Sequence, residues 1–145
     1  MFKFKQDEIF IPAPEGMHNA VIADVVYYGT EEAYDKIRLV WELEQSRPSG
    51  KRFTVTKPFY DAASMTKDLQ QVLGDDREGI DIVMNDPEKL IGMPMRLKVV
   101  HNLSKGEIFP HVHSLYPPSV VRLLVTPGFR RYAPDKKTGQ SQEAA

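Results

Sequence analysis

The chain has 145 residues, 41% of them hydrophobic and 27% charged, with a net charge of −1. That length supports one domain with one core; the charge carries no global basic signature, and no apolar run reaches the ~20 residues of a membrane span. The absence of cysteine excludes a disulfide framework and a thiolate zinc site, and the charged start MFKFKQDEIF lacks the apolar stretch of a signal peptide, so a cytoplasmic protein is expected.

Residues 1–15 end in Pro12-Ala13-Pro14-Glu15 before Gly16, a composition that resists regular structure and reads as an arm. Residues 17–28 form the first expected strand, with Val21, Ala23 and Val25 on one face and Ile22, Asp24 and Val26 on the other. It is apolar on nearly both sides, as a strand shared within a small barrel can be. The break at Gly29-Thr30-Glu31-Glu32 leads to the clearest signal in the chain. Over 36–44, Ile37, Leu39, Trp41 and Leu43 alternate with Lys36, Arg38, Val40 and Glu42, a period of two with one apolar face. After the turn at 46–50, strand 52–59 places Phe53 and Val55 inward and Arg52, Thr54 and Thr56 outward. Pairing the inward sets puts Trp41 opposite Val55, Leu43 opposite Phe53 and Arg52 opposite Glu44.

Ser64 is the expected N-cap of a helix over 65–73, with Met65, Leu69, Val72 and Leu73 on one face and Gly74 as its stop. Residues 75–81 read as an acidic solvated loop, and Asp86-Pro87 through Gly92 as one short helical turn. Strand 94–101 alternates Met95, Leu97 and Val99 with Arg96, Lys98 and Val100, and 107–116 returns beside it. The simple register sets Lys98 against His111 and Arg96 against His113. Pro117-Pro118 closes the domain. Residues 119–125, which open at Ser119 and close at Val125, are apolar enough to pack on a partner, and from Pro127 the composition is that of a flexible tail.

The order of three strands, one helix and two strands is that of a mainly β, five-stranded OB-type Greek-key barrel spanning 16–118, with one helix between strands three and four and a C-terminal extension over 119–145. Such barrels hold single strands by pairing cations with phosphates and aromatic faces with bases, each stack contributing ~1–3 kcal/mol. The residue types on this chain that meet that need are Arg38, Arg52, Lys57, Arg96 and Lys98 for phosphate, and Tyr27, Tyr28, Tyr34 and Phe59 for stacking. His111 and His113 share a face but lie beside Arg96 and Lys98, and His101 points the other way, which argues against a metal. No Gly-rich phosphate loop or nucleophile motif is present, so neither an enzyme nor a cofactor is expected.

Several strings carry a resemblance: Pro14-Glu15-Gly16 with His18-Asn19-Ala20-Val21, the run from Lys36 to Leu43, the run from Gly50 to Val55, Leu90-Ile91-Gly92, and Val99-Val100-His101-Asn102. Over roughly residues 12–117 the chain resembles phage and prophage single-stranded DNA-binding proteins. The resemblance implies an OB-type barrel acting in replication or recombination without a catalytic centre. It does not extend to the acidic, Phe-terminated tail with which bacterial single-strand binders recruit partners, nor to 119–125. Two other uses of the fold stay open: a protein-interaction or assembly module, homo-oligomeric through 119–125, and a carbohydrate binder.

Overall fold

Alternation of apolar and polar residues builds a five-stranded antiparallel sheet: β1 (Gly16–Gly29), β2 (Tyr34–Ser46), β3 (Arg52–Phe59), β4 (Pro94–Ser104) and β5 (Glu107–Tyr116). The computed structural model describes residues 11–29, 34–119 and 122–132, and for Tyr34 and Asp35 the backbone alone. Most of the expected arm, the 133–145 part of the expected tail, and Val120 and Val121 lie outside the described residues. Among the described residues no helix is long and apolar enough to cross a membrane.

The strand order is β3-β2-β1-β4-β5. β1 is the shared strand, pairing along its first half with β4 and along the rest with β2. Its residues 21–26 are buried on both faces, as the apolar character of all but Asp24 requires. The inner row runs through Ala20, Ile22 and Val25 of β1, Leu39, Trp41 and Leu43 of β2, Phe53, Val55 and Phe59 of β3, Met95 and Leu97 of β4, and Val112 and Leu115 of β5. The two edge strands, β3 and β5, approach each other, and the first helix packs against both.

Two registers depart from expectation. Trp41 does face Val55, but the β2–β3 ladder becomes irregular after Glu42, and Arg52 pairs with Ser46 rather than Glu44. In β4–β5, Lys98 faces Ser114 and Arg96 faces Tyr116, with a shift between Lys98 and Val99. A bulge inserts an unpaired residue and so moves every pair on one side of it; in β4–β5 the two-residue turn at Lys105-Gly106 sets the rest of the offset, and simple alternation reveals neither.

Between β3 and β4 lie two α-helices, α1 (Ala62–Leu73) and α2 (Arg77–Asn85), and a 3-10 turn over Pro87–Leu90. The single expected helix is therefore corrected to two. Met65, Leu69 and Val72 of α1 and Val83 of α2 join the core. The stretch read as an acidic loop is α2: Asp76 caps it by accepting from the Gly79 N–H at 2.9 Å, and a side chain at position 79 would collide with that carboxylate. Only Ile80 and Val83 are buried from this helix, too few to show a helical period. The 3-10 turn lies where a short helical turn was expected.

The N-cap of α1 is Asp61, not Ser64; its carboxylate accepts from the Ser64 N–H at 2.7 Å. The Ser64 backbone, then its hydroxyl, and the Ala63 N–H hold the Asp61 carboxyl below its ordinary 3.8. A carboxyl with a lowered folded-state pKa stabilises the fold above the unfolded value, and that contribution is lost as pH falls through the lowered one. Asp61→Ala is thus expected to lower the thermal midpoint at neutral pH. The difference from wild type should close well below pH 3.8 when unfolding is followed by circular dichroism; an equal difference at both ends of that range would remove the cap from the account.

Candidate nucleic-acid interface

The outer row of β1 and β2 is set by pairing: Tyr28 lies opposite Lys36, Val26 opposite Arg38, Asp24 opposite Val40 and Val21 opposite Glu42. At the end of this row the Lys36 ammonium sits 4.4 Å from the centre of the Tyr28 ring and 5.7 Å from that of Tyr60. The Arg38 guanidinium is 5.4 Å from Tyr28. These are cation–π distances. The Arg38 Nε is buried with no hydrogen-bond partner among the described residues, and Tyr60 is largely exposed. Arg38 and Tyr28 were expected at the site, and Tyr60 belongs with the aromatic residues that follow the third expected strand; Lys36 was not selected, although alternation from Arg38 places it on the same side.

Three expected contacts point elsewhere. Lys57 belongs to the inward row of β3 with Val55 and Phe59; its ammonium pairs with Asp68 of α1 and lies 5.2 Å from the Phe59 ring. Phe59 is buried in the core. Tyr27 packs against the core, and its hydroxyl donates to Glu88 at 3.0 Å. Odd-numbered residues of β3 face inward, so the same period that identified Arg52 as outward places Lys57 and Phe59 inward. The Tyr34 side chain lies outside the described residues.

Arg52 and Arg96 do face outward, and both are engaged. Arg52 Nη1 donates to the Leu124 carbonyl at 2.6 Å and reaches Glu42 at 3.4 Å. Arg96 Nε donates to the Pro117 carbonyl at 2.9 Å and lies 5.9 Å from the Tyr116 ring. Lys98 is exposed beside them, opposite Met17 of β1. Glu44, the expected partner of Arg52, accepts from Asn19 instead.

What occupies the middle of this face is the C-terminal segment itself. Ser119 donates to Asn19 at 2.9 Å, Leu123 is buried, and the Thr126 N–H donates to Glu42 at 2.7 Å. Arg131 Nε then meets Asp24 at 2.6 Å while its two terminal nitrogens reach Glu88 at 2.9 and 3.0 Å. The Tyr132 N–H donates to the other Asp24 oxygen at 2.7 Å. Asp24 is 1% exposed and Glu42 4%; buried carboxylates persist when cations and N–H donors replace their water. The hydrogen bonds that Arg131 donates to Glu88, and after them its bond to Asp24 and the charge of that residue, raise the Arg131 pKa above its ordinary value despite partial burial. Residues 127–132, expected as flexible tail, are therefore a strap on the sheet.

The strap divides the expected surface. Its contacts at Glu42 and Asp24 fall between Tyr28–Lys36–Arg38 at one end of β1 and Arg96–Lys98 at the other, and its contact at Asn19 lies directly opposite Arg96. The structure brings Arg38 and Tyr28 together and keeps Arg96 and Lys98 apart from them. Of the histidines weighed for a metal, His101 has its Nε2 2.7 Å from the Ala13 carbonyl, and its backbone N–H donates to Glu15, pinning the end of the arm. Compared with known proteins, the chain matches no family model and no curated protein sequence.

Proposed function

We propose that this protein binds single-stranded DNA without strong sequence preference, on an OB-type barrel and in phage-type replication or recombination. The observation that carries the reading is the patch of Tyr28, Lys36, Arg38 and Tyr60, two cations set against two aromatic rings on the outer face. Cations follow phosphates and exposed rings stack on any base, so such a patch is sequence-tolerant. The approach of edge strands β3 and β5 in the order β3-β2-β1-β4-β5 fits the partly open five-stranded barrel that serves such ligands. The resemblance to phage single-strand binders points the same way.

The test is an anisotropy titration of a labelled oligo-dT strand and a matched duplex at low and high salt. The strand is expected to bind more tightly and to weaken as salt rises, because cations released from phosphates oppose binding. Tyr60→Ala is expected to weaken it about tenfold, the size of one lost stack. Equal binding of strand and duplex, or indifference to salt, sinks the reading. The other use of the fold, assembly through 119–125, loses Leu123, which is buried within this chain, and keeps the exposed Leu124 among the described residues.

A further inference from the structure

The turn between β2 and β3 and the strap face each other across a cavity of about 810 Å³ lined by Arg47, Lys51, Arg52, Arg130, Glu42 and Phe129. The single carboxylate here is already compensated, since Glu42 Oε1 takes the Thr126 N–H and lies beside Arg52. Arg52 is likewise committed to Leu124. That leaves Arg47, Lys51 and Arg130 as three side-chain cations with no ion-pair or hydrogen-bond partner among the described residues. Converging like charges repel, and an anion seated between them relieves that repulsion.

Both walls are held in place before any ligand arrives. The Arg47 N–H donates to the Lys51 carbonyl at 2.7 Å and the Gly50 N–H to the Arg47 carbonyl at 2.8 Å. Gly50 sits at φ +96°, a conformation that strains other residues. Across the cavity the Phe129 N–H donates to the Thr126 carbonyl at 3.0 Å.

A second cavity, of about 640 Å³, shares Arg47 and Thr54 with the first and continues between Phe53 and the β4–β5 hairpin. Its far wall is apolar, with Ile108 and Phe109 about half exposed, and Glu107 is its one carboxylate. The two cavities adjoin at Arg47 and Thr54, and taken together as one groove they are cationic in one half and apolar in the other. A free phosphate uses only the first half and an apolar peptide only the second. A chain of phosphates bearing flat bases uses both.

We infer that a single-stranded nucleic acid runs through this groove, with phosphates against Arg47, Lys51 and Arg130 and bases against Phe129 and Phe109. The inference rests on the single-strand reading above and assigns that strand a path the Tyr28 patch alone does not define. It is tested on the full chain by anisotropy with a fluorescein-labelled oligo-dT strand. Lys51→Glu with Arg130→Glu is compared with Lys67→Glu and Arg77→Glu, exposed cations of α1 and α2 that change net charge equally away from the groove. Near-UV circular dichroism of Trp41 checks that each variant is folded.

The groove variant is expected to bind at least ~10-fold more weakly than the control, with a salt slope shallower by about 1.4, two phosphate contacts at ~0.7 each. Phe109→Ala should weaken binding about tenfold and leave the salt slope unchanged, as a lost stack does. Failure of the wild-type protein to bind the strand overturns the single-strand reading and the path with it. Wild-type binding that is matched by the groove variant overturns the path alone. An unchanged affinity in Phe109→Ala overturns the placement of bases in the apolar half.

Discussion

Arg131→Ala is expected to lower the unfolding free energy by about 2–3 kcal/mol and to loosen the strap from the sheet. Its guanidinium is the one cation on Asp24 among the described residues, and Asp24 is 1% exposed. Removing one partner of a fully buried pair costs about 3–5 kcal/mol, because the remaining charge is left without compensation. Arg131 is about half exposed, with 46% side-chain accessibility, so water takes over part of its role and the expected cost drops toward that of a partly solvated pair. The Val25 and Tyr132 N–H groups still reach the carboxylate at 2.8 and 2.7 Å, which limits the loss further.

Urea denaturation gives the stability change, and limited trypsin digestion reports on the strap through cleavage at the exposed Arg122 and Arg130. Faster cleavage there, together with a lower urea midpoint, is the expected pair of results. Adding Asp24→Asn to Arg131→Ala should restore part of the loss, since the stranded charge is gone. Unchanged midpoint and cleavage would mean that the strap is held without Asp24. The strap is also one wall of the cationic groove, so its release should weaken oligo-dT binding.

Trp41→Ala is expected to cost more, about 3–5 kcal/mol, the range for removing a large aromatic side chain from a packed core. Trp41 is fully buried at the centre of β2, between Ile22 of β1 and Val55 of β3. Its indole N–H points at the Met95 sulfur at 3.3 Å, tying β2 to β4 across the core. Domains of this size have about 5–15 kcal/mol in total, so one cavity at this position removes a large fraction. Far-UV circular dichroism in urea is the suitable readout, because Trp41 is the sole tryptophan and its fluorescence disappears with it. A cost under about 1 kcal/mol would remove Trp41 from the core.

Residue alternation was enough to identify β2 and its inward face, and with it the Trp41–Val55 pairing, because a period of two is a local property of extended backbone. The same rule was sufficient to place Arg38 outward and, applied fully, to place Lys57 and Phe59 inward. It failed at β4–β5, where the two-residue turn at Lys105-Gly106 and the bulge beside Val99 together move Lys98 from His111 to Ser114. It failed at α2, whose Gly79, Asp81 and β-branched Ile80, Ile82 and Val83 have weak helix propensity and which folds around the Asp76 cap and two buried side chains. The cations read as outward do not share one surface for another reason: Arg52 and Arg96 are drawn to carbonyls of the C-terminal chain, and side-chain identity does not say which acceptor will be near.

Strand positions, their buried faces and the core role of Trp41 follow from neighbours a few residues apart, so the order of amino acids alone determines them. The covering of the outer face does not. Arg131 meets Asp24 across 107 positions, Thr126 meets Glu42 across 84, and Arg52 meets Leu124 across 72. No local period links such residues; they find each other only once the sheet has formed and buried carboxylates need donors. That is why a stretch with the composition of a loose tail becomes a strap, and why the cationic groove at its edge exists only in the folded protein.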